Sequence, residues 1–164
     1  MTTISTLTER ITLAKALAVK NRMAGRLVQT QSSIETSNSV LIGQRDSSVD
    51  VRGEFARYEA IQAGIVAVKG AIQRANLPIF ERIFELAEIK TRIKLLVDLP
   101  TKHGAEPGSY GGAEYVYDAT FLKPEVLELV RKLEAQADQF QDELNQYNAA
   151  TTVEISTAIL DLAR

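Results

Sequence analysis

Few residues of this chain have side chains that could do chemistry. Cysteine is absent and His103 is the one histidine, which excludes disulfides, thiolate nucleophiles and metal sites built on cysteine. Ser109 lies close by, but a nucleophile elbow needs glycine two residues before its serine, and Pro107 stands there. An enzyme would have to use the loop around His103 and Ser109. We predict a non-enzymatic protein with no catalytic residue, no metal site and no cofactor.

Acidic side chains are paired in the C-terminal third of the chain. Asp138 and Asp142 are four residues apart, with Glu143 beside them, a spacing that helical di-metal proteins use. Those proteins add Glu-x-x-His pairs from other helices, and here no predicted helix contains a histidine. The pattern therefore predicts a solvated acidic face.

A Gly-rich loop from Thr101 to Gly112 could contact a partner. Its glycines match neither Gly-x-Gly-x-x-Gly nor a phosphate-binding loop, so they predict a turn or an exposed tip. Tyrosine offers a large contact area at a low entropic cost, and packing of the nearby tyrosines onto the helices is the alternative. The loop contact candidates are His103, Tyr110, Tyr115 and Tyr117.

Composition and charge indicate a folded domain. The chain has 164 residues, of which 45% are hydrophobic and 24% are charged, as is usual for globular proteins. We predict a single domain over residues 1–164, without a signal peptide or a membrane-spanning segment, in the cytoplasm or in a virion. The net charge is −2, but residues 1–30 carry five basic and one acidic side chain (+4), and residues 124–147 carry two basic and six acidic ones (−4).

Apolar residues at helical spacing predict four helices, at about residues 6–28, 50–75, 78–98 and 124–147. Thr6-Leu7-Thr8-Glu9 has the form of a capping box, and Asp50 can cap the second helix. Pro78 interrupts the pattern before the third helix, because proline lacks the backbone N–H group of a helix interior. Pro124 suits the first turn of the fourth helix, where that group is not needed.

Short runs of β-branched and aromatic residues predict strands at about residues 39–42, 114–121 and 151–155. An isolated strand leaves backbone donors and acceptors unpaired, so we expect the first two of these strands to pair. The predicted fold class is mainly α: an antiparallel helical bundle or coiled-coil hairpin with a small two- or three-stranded β element.

Two of the predicted helices carry apolar residues at nearly 3.5-residue spacing, which is typical of coiled-coil seams. Gly53, Gly64 and Gly70 weaken the second helix, although a glycine on a seam also lets another helix approach closely. We predict that both seams are interaction surfaces. The seam of the second helix is Val51, Phe55, Tyr58, Ile61, Ile65, Val68 and Ile72. The seam of the fourth helix is Val126, Val130, Leu133, Ala137, Phe140, Leu144 and Tyr147.

Three short motifs follow one another in a recognisable order. They are Leu13-Ala14-Lys15-Ala16-Leu17, Ile72-Gln73-Arg74-Ala75-Asn76 and Leu144-Asn145-Gln146-Tyr147-Asn148-Ala149-Ala150-Thr151-Thr152. With its polar connector and its loop of glycine and tyrosine, the chain resembles the septicolysin-like family of small bacterial and phage proteins. The resemblance implies a helical bundle with a small sheet and a phage or prophage origin. It assigns no catalytic residue.

From these patterns we expect a structural or assembly protein that acts through its coiled-coil helices. A single chain does not cover every apolar stripe, so we expect a homo-oligomer, with contacts to other phage or assembly proteins. The alternative is a nucleic-acid-associated protein whose basic first helix contacts phosphates. The basic residues of that helix are Arg10, Lys15, Lys20, Arg22 and Arg26.

Overall fold

The computed structural model describes residues 7–43, 49–107, 112 and 114–164. Within these residues the chain is mainly helical with two small antiparallel two-stranded sheets, as the fold class predicted. The elements are β1 (Thr8–Thr12), α1 (Leu13–Asn38), α2 (Val51–Asn76), a 3-10 helix (Leu77–Ile79), α3 (Phe80–Asp98), β2 (Gly104–Glu106), β3 (Tyr115–Tyr117), α4 (Lys123–Ala150), β4 (Thr152–Ser156) and α5 (Thr157–Leu162).

The chain divides into two compact units. The first unit is Met1–Pro78 together with Asn145–Arg164, and the second is Ile79–Leu144. Each unit has its own cluster of buried apolar side chains. Helix α4 contributes residues to both units.

The N-terminal part of the predicted first helix is a strand. β1 pairs antiparallel with β4, with Ile11 opposite Val153. The helix begins only after Thr12, whose side-chain oxygen accepts a hydrogen bond from the Lys15 backbone N–H at 3.2 Å. The prediction failed because Ile11 fits a helical repeat locally, whereas its burial comes from a partner strand some 140 residues away. The predicted capping residue Thr6 lies outside the described residues.

The predicted strand at residues 39–42 is wrong. Helix α1 runs ten residues beyond its predicted end, to Asn38, and the i,i+4 hydrogen bond from the Gln31 side chain to the Glu35 carboxylate at 2.8 Å supports this extension. The chain then passes Leu41 and Ile42, which are both exposed, and turns at Ile42 and Gly43. No described strand lies beside these two residues. A short apolar run without a partner does not form a strand.

Helices α1 and α2 form the core of the first unit. Ile34 and Asn38 line one cleft with Val51 and Phe55, whereas Met23 lies against Gly64, so the two helices are antiparallel. A Cβ atom added at Gly64 would lie 2.6 Å from the Met23 Cε atom, so the lack of a side chain at Gly64 lets α1 approach α2 closely there. The fully buried large side chains of this core are Leu13, Val19, Met23, Ile61 and Val68.

In the second unit, α3 packs on α4 and a small hairpin pairs β2 with β3. Leu86 and Ile89 of α3 are buried in one cluster with Phe140 and Leu144 of α4. Strand β3 (Tyr115–Tyr117) is shorter than the predicted strand 114–121, and it pairs with residues predicted as loop rather than with 39–42. β2 lies nearer in the chain and closes a shorter loop, which costs less entropy.

The remaining predicted elements agree with the structure to within a few residues. The helices predicted at 50–75, 78–98 and 124–147 are Val51–Asn76, Phe80–Asp98 and Lys123–Ala150, and the strand predicted at 151–155 is Thr152–Ser156. This strand extends the pairing with β1 at both ends, since Leu13 N–H donates to the Thr151 carbonyl and Thr157 N–H to the Leu7 carbonyl.

Candidate interaction surfaces

The predicted seam of α2 is divided between the interior and the surface. Its C-terminal half, from Ile61 to Ile72, is buried in the core of the first unit. Its N-terminal half is more exposed: Phe55 is 51% exposed, and its ring stacks against Tyr58 at 6.4 Å. The buried half therefore stabilises the first unit, and only the half around Val51, Phe55 and Tyr58 is accessible to a partner.

The predicted stripe of α4 is buried along most of its length. Val126, Val130, Phe140 and Leu144 are buried, and Leu133 is half-buried. The role of this stripe as an interaction surface stays a prediction, because Phe140 and Leu144 already pack against α3.

Tyr147, the last residue of that stripe, belongs to the first unit. It packs on the first core, and its hydroxyl donates a 2.7 Å hydrogen bond to the Ala75 carbonyl near the end of α2. Carbonyls in the last turn of a helix lack helical partners. The phenol therefore satisfies an acceptor that would otherwise depend on water.

A groove of about 530 Å³ lies between α3 and α4 in the second unit. Phe84 stands at its edge and is 62% exposed, whereas Phe140 and Ile89 are buried at its base. Its charged lining is mostly acidic. The charged residues that line it are Glu81, Glu85, Glu88 and Arg92.

Arg82 covers one side of the Phe140 ring beside this groove. Its guanidinium lies 4.0 Å from the ring centroid, in cation–π geometry, and pairs with Glu85 at 2.7 Å and with Glu143 at 3.0 Å. Arg82 thus neutralises Glu85 but not Glu81 and Glu88, which are the two outer carboxylates of the groove. Among the described residues, Glu81 and Glu88 make no ion pair.

The exposed ridge of α3 was not predicted from the sequence. Phe80, Phe84 and Leu95 are 40%, 62% and 64% exposed, and the two phenylalanine rings meet edge to face at 5.9 Å. The signal was present, because Phe80, Phe84, Ala87 and Leu95 recur at helical spacing. It was hidden by the stronger buried repeat of Ile83, Leu86, Ile93 and Leu96 on the same helix.

Three of the predicted loop contacts, His103, Tyr115 and Tyr117, lie on or beside the β2–β3 hairpin. Tyr115 is 60% exposed and Tyr117 is 38% exposed. The Lys102 ammonium lies 5.1 Å from the Tyr117 ring centroid and donates to the Glu106 carboxylate at 2.6 Å. That hydrogen bond raises the pKa of Lys102 above 10.5. Tyr110 lies outside the described residues.

His103 is tied to the same hairpin. Its Nδ1 atom accepts a hydrogen bond from the Ala119 N–H at 3.3 Å and lies 3.5 Å from an Asp118 carboxylate oxygen. His103 therefore holds the strand ends together in the structure.

A basic face runs along the solvent side of α1. Lys15, Arg22 and Arg26 follow each other at spacings of seven and four residues, which places them on one side of a helix. Lys15 pairs with Glu9 at 3.0 Å and Arg10 pairs with Glu154 at 3.2 Å. Among the described residues, Arg22 and Arg26 make no ion pair.

The carboxylates Asp138, Asp142 and Glu143 do not form a metal site. In the described part of the chain, no group of three or more His, Cys, Asp or Glu side chains is arranged to hold a metal ion. Over the same residues, none of the helices has both the length and the hydropathy needed to cross a membrane.

Comparison with known proteins found no matching family model, no matching curated protein and no matching solved structure. The resemblance to the septicolysin-like family stays a prediction.

Proposed function

We propose that this chain is a non-enzymatic structural or assembly protein that forms homo-oligomers through its helical surfaces. The observation that carries the proposal is the exposed apolar ridge of α3, formed by Phe80, Phe84 and Leu95. Grouped exposed aromatic side chains at the edge of a groove are typical of protein interfaces. The first unit adds two further exposed apolar residues, Phe55 and Val66 on α2.

Burial of the ridge is the expected driving force for assembly. Each phenylalanine side chain contributes on the order of 1.5–3 kcal/mol when it moves from water into a packed interface. A second copy of the chain is the simplest partner, since it is always present at the same concentration. Other assembly proteins of a phage or prophage would act on the same surfaces, in the cytoplasm or in a virion.

Sedimentation equilibrium or light scattering tests the proposal at micromolar protein concentrations. We expect a multimer, and we expect Phe84→Ser to weaken it. Val126 is buried, so Val126→Ser would unfold part of the chain and is not a suitable variant. The control is Thr91→Ser, which lies on the same face of α3 as Phe84. A strict monomer that stays monomeric over the whole concentration range contradicts the proposal.

The alternative is a nucleic-acid-associated protein. It is favoured by one observation: Arg22 and Arg26 are free of ion pairs within the described chain and lie on one side of α1. Binding through these cations would fall steeply as salt is raised, because phosphate neutralisation releases counterions. Absence of salt-sensitive binding to DNA or RNA near 50 mM salt would remove this alternative.

A further inference from the structure

The α3–α4 groove presents two carboxylates on either side of an exposed ring, and neither carboxylate makes an ion pair within the described part of the chain. Glu81 and Glu88 are seven residues apart, and Phe84 lies between them, three residues after the first and four before the second. Seven residues of α-helix span about 10.5 Å. A surface that fits this groove needs two cations at about that distance and a small residue between them to meet the ring.

The exposed face of α1 has this arrangement. Lys15, Ala18 and Arg22 follow the same spacing of three and four residues, and all three are exposed. Ala18 offers little side chain, so a ring can approach the helix there. The pair of Lys15 with Glu9 does not prevent docking, because both side chains are about half exposed and such surface pairs contribute at most about 1 kcal/mol.

The two units carry opposite net charges. The first unit has ten basic and six acidic side chains in Met1–Pro78, and one basic and two acidic ones in Asn145–Arg164, which gives +4 − 1 = +3. The second unit, Ile79–Leu144, has eight basic and thirteen acidic side chains, which gives −5. The sum, −2, is the charge of the whole chain. The first unit of one copy therefore attracts the second unit of another copy.

We propose that the α3–α4 groove of one chain binds the α1 face of a second copy, with Lys15 and Arg22 opposite Glu81 and Glu88, and Ala18 against Phe84. This inference rests on the proposed function and names the partner of its main surface. The contact joins two different surfaces, so copies associate head to tail, as a ring if the rotation closes and as a filament if it does not.

A second copy explains both surfaces at once. A nucleic acid on the basic face of α1 would leave the groove uncovered, because Glu81 and Glu88 would repel phosphates from the groove itself. An unrelated basic peptide in the groove would leave Arg22 and Arg26 unpaired. Only another copy of the chain uses the carboxylates, the ring and the cations together.

Paired charge reversal tests the contact on the full-length chain by sedimentation equilibrium at low salt. The face variant is K15E/R22E and the groove variant is E81R/E88R. In either variant both surfaces then carry the same sign, so each alone should associate roughly tenfold or more weakly than the unaltered chain. In an equimolar mixture, each face meets a groove of opposite sign. The mixture should therefore regain a mass above that of either variant alone.

The matched control is R74E/R164E, which makes the same change in net charge as K15E/R22E on two exposed residues of the same unit that lie outside α1. It should leave association unchanged. Circular dichroism of each variant should show unchanged helix content.

The outcomes separate this inference from the proposed function. If the unaltered chain is a monomer, both fail. If it is a multimer but both variants keep its mass, or the mixture fails to regain it, this contact is wrong while the proposed function stands. Equal loss in R74E/R164E also overturns the contact. A monomer whose salt-sensitive binding to a labelled single-stranded oligonucleotide is lost in K15E/R22E overturns both in favour of nucleic acid.

Discussion

The two units of this chain differ in how completely they bury their apolar residues. In the first unit, one cluster of buried side chains is shared by α1, by α2, and by the β1–β4 pair together with α5. The second unit has a smaller cluster, formed by one face of α3 against α4, while Phe80 and Phe84 remain exposed. Two helices that pack only on each other bury one stripe of each helix and leave the remaining faces exposed. The first unit therefore has the larger buried core, although Phe55 and Val66 stay exposed on it, and the second unit buries fewer of its apolar side chains.

The strongest test of this difference is the deletion of one buried side chain in each unit. Ile61 is fully buried in the larger cluster, so Ile61→Ala should lower the free energy of unfolding by about 3–5 kcal/mol. Ile89 borders the groove, where the site can relax and water can enter, so Ile89→Ala should cost about 2 kcal/mol. Urea unfolding followed by circular dichroism measures both losses.

Hydrogen exchange of the unaltered chain sharpens the same comparison. Amides of the buried parts of α1 and α2 should be protected more strongly than those of α3. Equal protection of the two units, or a larger loss for Ile89→Ala than for Ile61→Ala, would contradict the difference in core size.

A glycine substitution tests how tightly the first unit is packed. At Gly64 a methyl group would meet the fully buried end of Met23, so Gly64→Ala should destabilise the chain by about 1–3 kcal/mol. The control is Gly25→Ala on α1, where an added Cβ has no atom within 4 Å. It should stabilise the helix by about 0.5–1 kcal/mol. Thermal unfolding should shift in opposite directions for the two variants, and stabilisation by Gly64→Ala would show that the helices are not in close contact.

A smaller effect is expected where α4 meets the first unit. Tyr147→Phe removes the hydroxyl that bonds the Ala75 carbonyl and should cost about 1 kcal/mol. Tyr58→Phe removes a hydroxyl that accepts a weaker, exposed hydrogen bond from Gln62, and serves as the control with a change below about 0.5 kcal/mol. Denaturant midpoints that shift equally for the two variants would argue against a structural role of the Tyr147 hydroxyl.

The smallest expected effect concerns the surface of the second unit. The Lys132 ammonium donates to the Glu128 carboxylate one turn away on α4 and holds the pKa of Glu128 below its usual 4.5. A lowered pKa stabilises the fold at a pH above 4.5, and this contribution is lost as the pH falls through the folded value. Both side chains are exposed, so salt should screen the effect. In an NMR titration, Lys132→Gln should return the pKa of Glu128 toward 4.5, and no change would mean that the pair does not persist in solution.

Sequence periodicity predicted the helices more reliably than the strands. The α4 stripe from Val126 to Tyr147 repeats every three or four residues, and the apolar spacing alone indicates which side is buried. The same reasoning misplaced β1, because Leu7, Ile11 and Ala14 also fit a helical repeat. Reasoning from the sequence also missed the groove. The acidic residues that line it alternate with basic residues along α3, and such a pattern is typical of a solvated face.

The sequence by itself determined the local structure: the lengths of α2, α3 and α4, the β-prone run before α5, and the break at Pro78. These features depend on spacing, propensity and proline geometry within one or two helical turns. Only the tertiary structure decided that Thr8–Thr12 pairs with Thr152–Ser156, that β3 pairs with β2, and that Phe84 stays exposed while Phe140 is buried. Those outcomes depend on which segments meet across long stretches of chain, and a residue's own neighbours in sequence carry no record of that partner.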